Sequence, residues 1–141
     1  MKIVTIIART LLGLMFLVFG LNGFFHFIQQ PPPSGLALQY FVVLSTSHYL
    51  VPVFFLQALA GALLLTNRFV PVALVVLGPI LVNILLFHIL MLPQGIGPGL
   101  MALALWSIVF ASVRQAFSGI FVARVSDPET APEGGLAAVR Q

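Results

Sequence analysis

The sequence predicts an all-α membrane protein: a bundle of four transmembrane helices with a short interfacial or re-entrant helix between the first and the second. Of its 141 residues, 60% are hydrophobic and only 6% are charged, and the mean hydropathy is +1.15. A soluble domain of this size cannot hide so much apolar surface. In addition, four apolar runs approach the roughly 20 residues that cross about 30 Å of hydrocarbon.

The four predicted spans are residues 3–28, 50–66, 69–92 and 97–121, so residues 1–121 form one transmembrane domain. The first span resembles a secretory signal because Lys2 precedes an apolar core. No small-residue cleavage motif follows it, and the apolar run continues through Phe27. We therefore predict a retained helix.

The segment between the first two spans is predicted to lie at the membrane interface or to re-enter the membrane. It begins with Pro31, Pro32 and Pro33, which block helix continuation, and Ser34 is a suitable N-cap for a new helix. The apolar part that follows is too short to span a bilayer. Residues 122–141 are rich in Pro, Gly, Ala and acids, and they are predicted to be a flexible cytoplasmic tail.

The basic residues predict the orientation of the spans. With four spans, all of them fall on the side of both termini and the second loop: Lys2, Arg9, Arg68, Arg114, Arg124 and Arg140. Under the positive-inside rule this side is cytoplasmic. We call it the inner side, and we expect Arg9 and Arg114 to extend from within their spans to the inner interface.

Small residues predict where helices approach closely. Gly13, Gly20 and Gly23 form a stripe on the first span, and Gly61 lies among alanines on the second. Because lipid is as apolar as leucine, helices in membranes associate through close packing of such residues and through polar contacts. We therefore predict close helix contacts at these glycines.

Five polar side chains are predicted to lie in the outer half of the membrane, and they are the candidate ligand-binding residues: Asn22, His26, Gln57, Asn83 and His88. A rise of about 1.5 Å per residue along antiparallel spans places them at similar depth. Asn22 and His26 share a helix face, whereas Asn83 and His88 are about 140° apart and are expected to face different interfaces. For Asn and Gln the alternative is a purely structural hydrogen bond between helices. No residue is assigned a catalytic role.

Histidine at membrane depth can ligate metal or haem, donate to a quinone carbonyl or relay a proton. The chain has no cysteine, no metal-binding histidine spacing and no acid inside the spans, so no metal site is predicted and hydrolysis is disfavoured. Haem is disfavoured because no spacing selects two axial histidines. Quinone remains open as a cofactor. The scattered basic residues do not predict nucleic-acid binding.

The stretch "ARTLLGLMFLVFGLNGFFHF", with Arg9, Gly13, Phe16 and Gly20 spaced R-x-x-x-G-x-x-F-x-x-x-G, resembles the first helix of the DoxX family. The stretch "LQALAGALLLTNRFVPVALVVLGPILVNILLFH" resembles its second and third helices. The resemblance covers about residues 4–120. It implies a small four-helix protein of the bacterial inner membrane, in a family named for a subunit linked to quinone-dependent sulfur oxidation. Members often have glutamate where this chain has Gln57, and this departure argues against a proton-coupled role.

Two functions follow as expectations. The first is an accessory or ligand-binding subunit of a membrane complex, with a polar, histidine-containing pocket in the outer half of the bilayer. The alternative is a quinone-linked oxidoreductase component, in which Phe24, Phe25, Phe27 and Phe87 would enclose a ring. In either case the expected partners are membrane lipid and other membrane subunits or further copies of this chain. Whether the protein is an enzyme is left open.

Overall fold

The computed structural model describes residues 2–123, and every regular element in this range is helical. The α-helices are α1 (Lys2–Phe25), α2 (Gly35–Thr46), α3 (Leu50–Leu65), α4 (Val70–Met91) and α5 (Ile96–Val113). Short 3₁₀ helices, Pro93–Gly95 and Arg114–Phe121, flank α5. The all-α prediction is confirmed for this part of the chain.

Three helical segments are long and apolar enough to cross a membrane: α1, α4 and the stretch Pro93–Ile120 that contains α5. A fourth segment qualifies only when α2 and α3 are taken together, and this pair is bent by 88°. With 16 residues, α3 alone is about 24 Å long, shorter than the hydrocarbon core of about 30 Å. The structure therefore supports a multi-pass membrane protein with three or four spans.

The four longer helices form a closed ring of neighbours. Helix α1 packs against α3 and α5, and α4 packs against the same two helices, so α1 and α4 lie mainly across the ring from each other. The largest fully buried side chains in the interior of the ring are Leu12, Leu64, Leu74, Leu77 and Val109. Large apolar side chains also cover the outside of every helix. Helices that are apolar all round are typical of membrane spans.

Antiparallel packing defines two ends of the ring. Gly13 of α1 lies beside Leu65 at the end of α3, and Gly23 lies beside Phe54 near the start of α3. We call the end that contains Phe25, Leu50, Met91 and Ile96 the outer end, and the end that contains Lys2, Leu65, Val70 and Val113 the inner end.

The predicted close helix contacts are confirmed between α1 and α3. A Cβ atom built on Gly20 would lie 2.5 Å from the Ala58 backbone nitrogen, and one on Gly61 would lie 2.5 Å from the Leu17 backbone nitrogen. Real Cβ atoms are not found this close to backbone atoms. The two backbones therefore approach to a distance that only glycine allows.

Helix α1 ends at Phe25, three residues before the predicted limit at Ile28. The cause is Asn22, whose side-chain oxygen accepts a hydrogen bond from the Ile28 backbone nitrogen at 2.6 Å. His26 adopts a left-handed conformation with φ of 52°, which breaks the helical repeat. Together these features fold the chain back just after the last helical turn.

Helix α2 is close to perpendicular to α3 and begins as predicted, immediately after Ser34. Ser34 occupies the N-cap position with extended backbone, but its side chain makes no capping hydrogen bond. The helix starts instead with Gly35 at a φ of +59°, a conformation that glycine adopts at little cost. The prediction of Ser34 as N-cap is therefore right in position only.

The last predicted span, residues 97–121, differs from the observed helical segment at both ends. Helical structure begins at Pro93, and the α-helix changes to a 3₁₀ helix at Arg114.

Arg9 lies about one turn from Gly13, which contacts the end of α3, so Arg9 is at the inner end of the ring. Its Nε is buried without a hydrogen-bond partner in residues 2–123. The predicted tail, residues 122–141, lies outside the described residues except for Val122 and Ala123.

Candidate functional site at the contact of α2 and α4

Asn83 of α4 contacts Tyr40 of α2. The Tyr40 hydroxyl is 3.4 Å from both the side-chain oxygen and the side-chain nitrogen of Asn83. Asn83 is exposed and Tyr40 is half-buried. Hydrogen bonds between such groups are usually about 2.7–3.2 Å long. The pair is therefore weakly bonded and accessible from outside the ring.

Aromatic rings surround this pair on the side toward the outer end. Tyr40 is stacked on Phe87, with ring centroids 5.5 Å apart, and Phe41 meets Phe87 edge-on at 5.2 Å. The imidazole of His88 is also edge-on to Phe87, at 5.1 Å. We call Tyr40, Phe41, Asn83, Phe87 and His88 the α2–α4 cluster.

The α2–α4 cluster lies below the outer end of α4. Phe87 is one turn and Asn83 about two turns from Met91, which corresponds to about 6 and 12 Å along the helix. Because Tyr40 contacts both residues, α2 crosses beside α4 at this depth. The exposed apolar side chains of α2 fit hydrocarbon surroundings better than an aqueous surface.

The contacts of His88 fix its tautomer. Its Nδ1 is 2.8 Å from the Ile84 carbonyl oxygen, which can only accept a hydrogen bond, so Nδ1 carries the proton in the neutral ring. The other nitrogen, Nε2, is then an acceptor. It lies against Gly95, where an added Cβ would be 2.9 Å away. His88 is half-buried at the outer end of the interior stripe of α4.

Asn83 and His88 face different surroundings, as predicted. The buried stripe of α4 runs through Leu77 and Leu81, and His88 continues it by helical spacing. Asn83 lies off this stripe and contacts α2. The two residues are connected only through the rings of Tyr40 and Phe87.

Asn22 and His26 have local roles at the end of α1. Both polar ends of the Asn22 amide are directed at the backbone of Ile28, and the backbone nitrogen of His26 donates to the Asn22 carbonyl at 2.9 Å. The His26 side chain is exposed just beyond the helix. Within residues 2–123 these side chains make no hydrogen bond to Gln57, Asn83 or His88.

Gln57 is the one buried polar residue in the described part of the ring, with 7% of its surface exposed. It lies on the interior stripe of α3 with Ala60, Gly61 and Leu64. Its amide has no hydrogen bond to any group in residues 2–123. The amide atoms are not fully enclosed, because Arg9 Nε is the one fully buried side-chain nitrogen or oxygen without a partner in residues 2–123. No hydrogen bond joins the amide to the α2–α4 cluster.

The four aromatic residues predicted to enclose a ligand ring do not lie together in the structure. Phe24 meets Phe54 edge-on at 6.3 Å, whereas Phe25 and Phe27 are 71% and 54% exposed. Phe87 is the only one of the four in the α2–α4 cluster. Within residues 2–123, no group of three or more His, Cys, Asp or Glu side chains is arranged to hold a metal ion.

The sequence reasoning did not select Tyr40 and Phe41, which complete the cluster. The available signal was a pair of aromatics beside Gln39 in an otherwise aliphatic segment. Their partners on α4 depend on the angle between α2 and α3. The sequence predicts a break between these helices but does not specify this angle. Comparisons of the chain with protein-family models, curated proteins and solved structures found no match.

Proposed function

We propose that this chain is a DoxX-like protein of the bacterial inner membrane, an accessory or ligand-binding subunit whose α2–α4 cluster binds the polar ring of an amphiphilic ligand such as a quinone. The observation that carries the proposal is the exposed Tyr40–Asn83 pair beside the stacked rings of Tyr40 and Phe87. A ligand carbonyl could accept hydrogen bonds from the Tyr40 hydroxyl and the Asn83 amide nitrogen. A flat ring could lie against the aromatic side chains.

Two features support this site over a purely structural contact. The Tyr40–Asn83 distances of 3.4 Å leave the donors poorly satisfied by each other. The pair is also surrounded by apolar side chains, where a well-formed hydrogen bond to a ligand gains more than it does in water. An amphiphile from the bilayer can reach the pair from outside the ring because Asn83 is exposed.

The proposal includes four membrane spans, with α3 crossing as part of the bent pair and α2 embedded in the outer leaflet. The closed ring of α1, α3, α4 and α5 is the packing expected of an antiparallel four-helix bundle. Both termini are then cytoplasmic, because each basic residue lies on the same side.

This topology predicts the behaviour of terminal reporters. A fluorescent protein fused after Gln141 should mature in the cytoplasm, whereas alkaline phosphatase at the same position should be inactive. Alkaline phosphatase inserted between Gln29 and Gln30 should be active, because this connection lies at the outer end. Active phosphatase at the C-terminus would contradict the proposed orientation.

Quinone binding should depend on the two polar partners. We expect Tyr40→Phe and Asn83→Leu each to raise the Kd of a short-chain ubiquinone about five- to hundredfold, because each removes one hydrogen bond of about 1–3 kcal/mol. Isothermal titration calorimetry of the full chain in mild detergent measures the effect. The thermal midpoint should change little, since hydrogen bonds between membrane helices average about 0.6 kcal/mol.

His26→Gln and His48→Gln are matched controls, because both histidines are exposed near the outer end and neither lies in the α2–α4 cluster. They should bind the same ubiquinone as the parent chain does. Loss of binding in the His26 variant, with Asn83→Leu unaffected, would place the ligand at the end of α1 instead. If neither the parent nor any variant binds the probe and Asn83→Leu melts much lower, the polar pair is structural.

The alternative function, a quinone-linked oxidoreductase component, is favoured by one detail. The unprotonated Nε2 of His88, a member of the cluster, could accept a proton from a quinol hydroxyl. The electrons of the quinol would then pass to a partner subunit. Both functions allow quinone to co-purify with the chain, so quinol oxidation by the purified complex separates them. Quinol-dependent reduction of an added electron acceptor favours the redox role, and quinone binding without this reduction favours the accessory role.

A further inference from the structure

Two adjoining apolar grooves run along the contact of α4 and α5, on the opposite face of α4 from Asn83 and Phe87. The larger has a volume of about 250 Å³ and is lined by Leu74, Val75, Gly78, Trp106, Phe110, Phe117 and Ile120. The smaller has a volume of about 150 Å³ and is lined by Gly78, Leu81, Val82, Leu85, Leu103 and Trp106. Gly78 and Trp106 line both grooves, so the two grooves adjoin each other. We call them together the α4–α5 groove.

The α4–α5 groove opens outward into the surroundings of the ring. Val75, Val82 and Ile120 are each more than half exposed. All of its lining residues are apolar except for the indole nitrogen of Trp106, which donates to the Leu74 carbonyl at 3.1 Å. In a membrane such a groove is filled by hydrocarbon chains.

The shape of the groove is fixed by two residues. Gly78 has no side chain, and a Cβ built there would have one neighbour, Trp106 Cζ2 at 3.9 Å. Gly78 is therefore not needed for close packing and leaves open space instead. Trp106 is held by its hydrogen bond to Leu74 and by stacking on Phe110, with centroids 5.0 Å apart. The indole is a rigid wall of the groove.

A positive charge lies at the inner end of this groove. Arg114 is four residues after Phe110 and opens the 3₁₀ helix that contains Phe117 and Ile120. Because a 3₁₀ helix has three residues per turn, Arg114, Phe117 and Ile120 share one face. Arg114 is exposed, and residues 2–123 contain no Asp or Glu with which it could pair.

We propose that the α4–α5 groove binds one acyl chain of an anionic phospholipid from the inner leaflet, whose phosphate pairs with the Arg114 guanidinium. The apolar groove fits the acyl chain, and the Arg114 cation, which has no Asp or Glu partner within residues 2–123, fits the phosphate. The phosphate end of this site is at the inner end of the ring, and the groove lies on the opposite face of α4 from Asn83 and Phe87, so the site does not depend on quinone binding there. It requires that the ring spans a membrane with Arg114 on the side of the inner leaflet.

Trp106 is the only tryptophan in the chain, so its fluorescence reports directly on the groove. The full chain is reconstituted in phosphatidylcholine vesicles that contain equal small fractions of brominated phosphatidylglycerol or brominated phosphatidylcholine. Bromine on an acyl chain beside the indole quenches its emission. We expect the apparent affinity for the brominated phosphatidylglycerol to be about fivefold higher than for the brominated phosphatidylcholine. This is the gain in affinity for an anionic lipid that one basic residue near the membrane surface provides.

Arg114→Gln should remove this preference without affecting quenching by the neutral lipid. Lys2→Gln is the matched control, because it removes a charge at the inner end from α1, which does not line the groove. Gly78→Leu should reduce quenching by both lipids, since its side chain would occupy the space beside the indole. The 3.9 Å clearance at Gly78 leaves room for the Cβ atom, and the thermal midpoint in detergent is measured to check that this variant keeps the fold.

Equal quenching by the two lipids in the parent chain would overturn the proposal, and so would a preference that survives in Arg114→Gln. A third contradictory result is a groove occupied by a second copy of the chain. In that case Gly78→Leu would change the oligomeric state in detergent and leave lipid quenching unaltered.

Discussion

Gly20→Ala and Gly61→Ala should each destabilise the protein by about 3 kcal/mol, at the upper end of the range for overpacked sites. At Gly20 the new Cβ would lie 2.5 Å from the Ala58 nitrogen and 2.8 Å from the Phe54 carbonyl oxygen. At Gly61 it would lie 2.7 Å from the Gly13 carbonyl oxygen. These neighbours are backbone atoms, so the strain is relieved only if α1 and α3 move apart.

The matched control is Gly97→Ala in α5, where an added Cβ meets nothing within 4 Å. Gly97 is in the first turn of α5 and precedes Pro98, so the full helix-interior preference for alanine of about 0.8–1 kcal/mol does not apply, and this variant should be close to neutral. Reversible unfolding in mixed micelles, followed by circular dichroism, measures all three variants. If Gly20→Ala and Gly97→Ala gave the same midpoint, the α1–α3 contact would be looser than the structure shows.

The sequence predicted the spans and their packing because both depend on local composition. Apolar run lengths located α1, α4 and α5, and small residues located the α1–α3 contact at Gly20 and Gly61. Helix ends were less accurate where a side chain sets them. The sequence places Asn22 among the candidate ligand residues, and in the structure its amide also bonds the backbone that ends α1.

The candidate site was predicted less well because depth along a helix does not give direction around it. A rise per residue placed five polar groups at similar levels. The rotation of each helix is set by packing, which directs Gln57 to the interior and Asn83 to α2. Tyr40 could not be selected because it reaches Asn83 only through the 88° bend that follows α2.

Gln57→Leu should make the protein more stable by about 1 kcal/mol. Gln57 is 7% exposed on the interior stripe of α3, and its amide has no hydrogen bond within residues 2–123. Its amide atoms keep some accessible surface, because Arg9 Nε is the one fully buried side-chain nitrogen or oxygen without a partner within residues 2–123. A fully buried, unsatisfied amide costs about 1–3 kcal/mol, and leucine of similar size removes the lower part of this cost. We expect the lower value because the amide is also removed from water in a membrane-bound unfolded state, so unfolding does not relieve its full cost.

Gln39→Leu is the control for this substitution. Gln39 is an exposed amide on α2, so its replacement should change the free energy of unfolding by less than about 0.5 kcal/mol. Both variants are compared with the parent chain by unfolding in mixed micelles. A Gln57→Leu variant that is less stable than the parent would show that the amide has a partner in the folded protein, such as a molecule bound inside the ring.

The result also bears on function, because a residue that lowers stability is retained when it serves another purpose. If Gln57→Leu is more stable and binds the short-chain ubiquinone as the parent does, Gln57 lies outside the proposed site. If it is more stable but loses binding, the ligand reaches from the α2–α4 cluster into the ring.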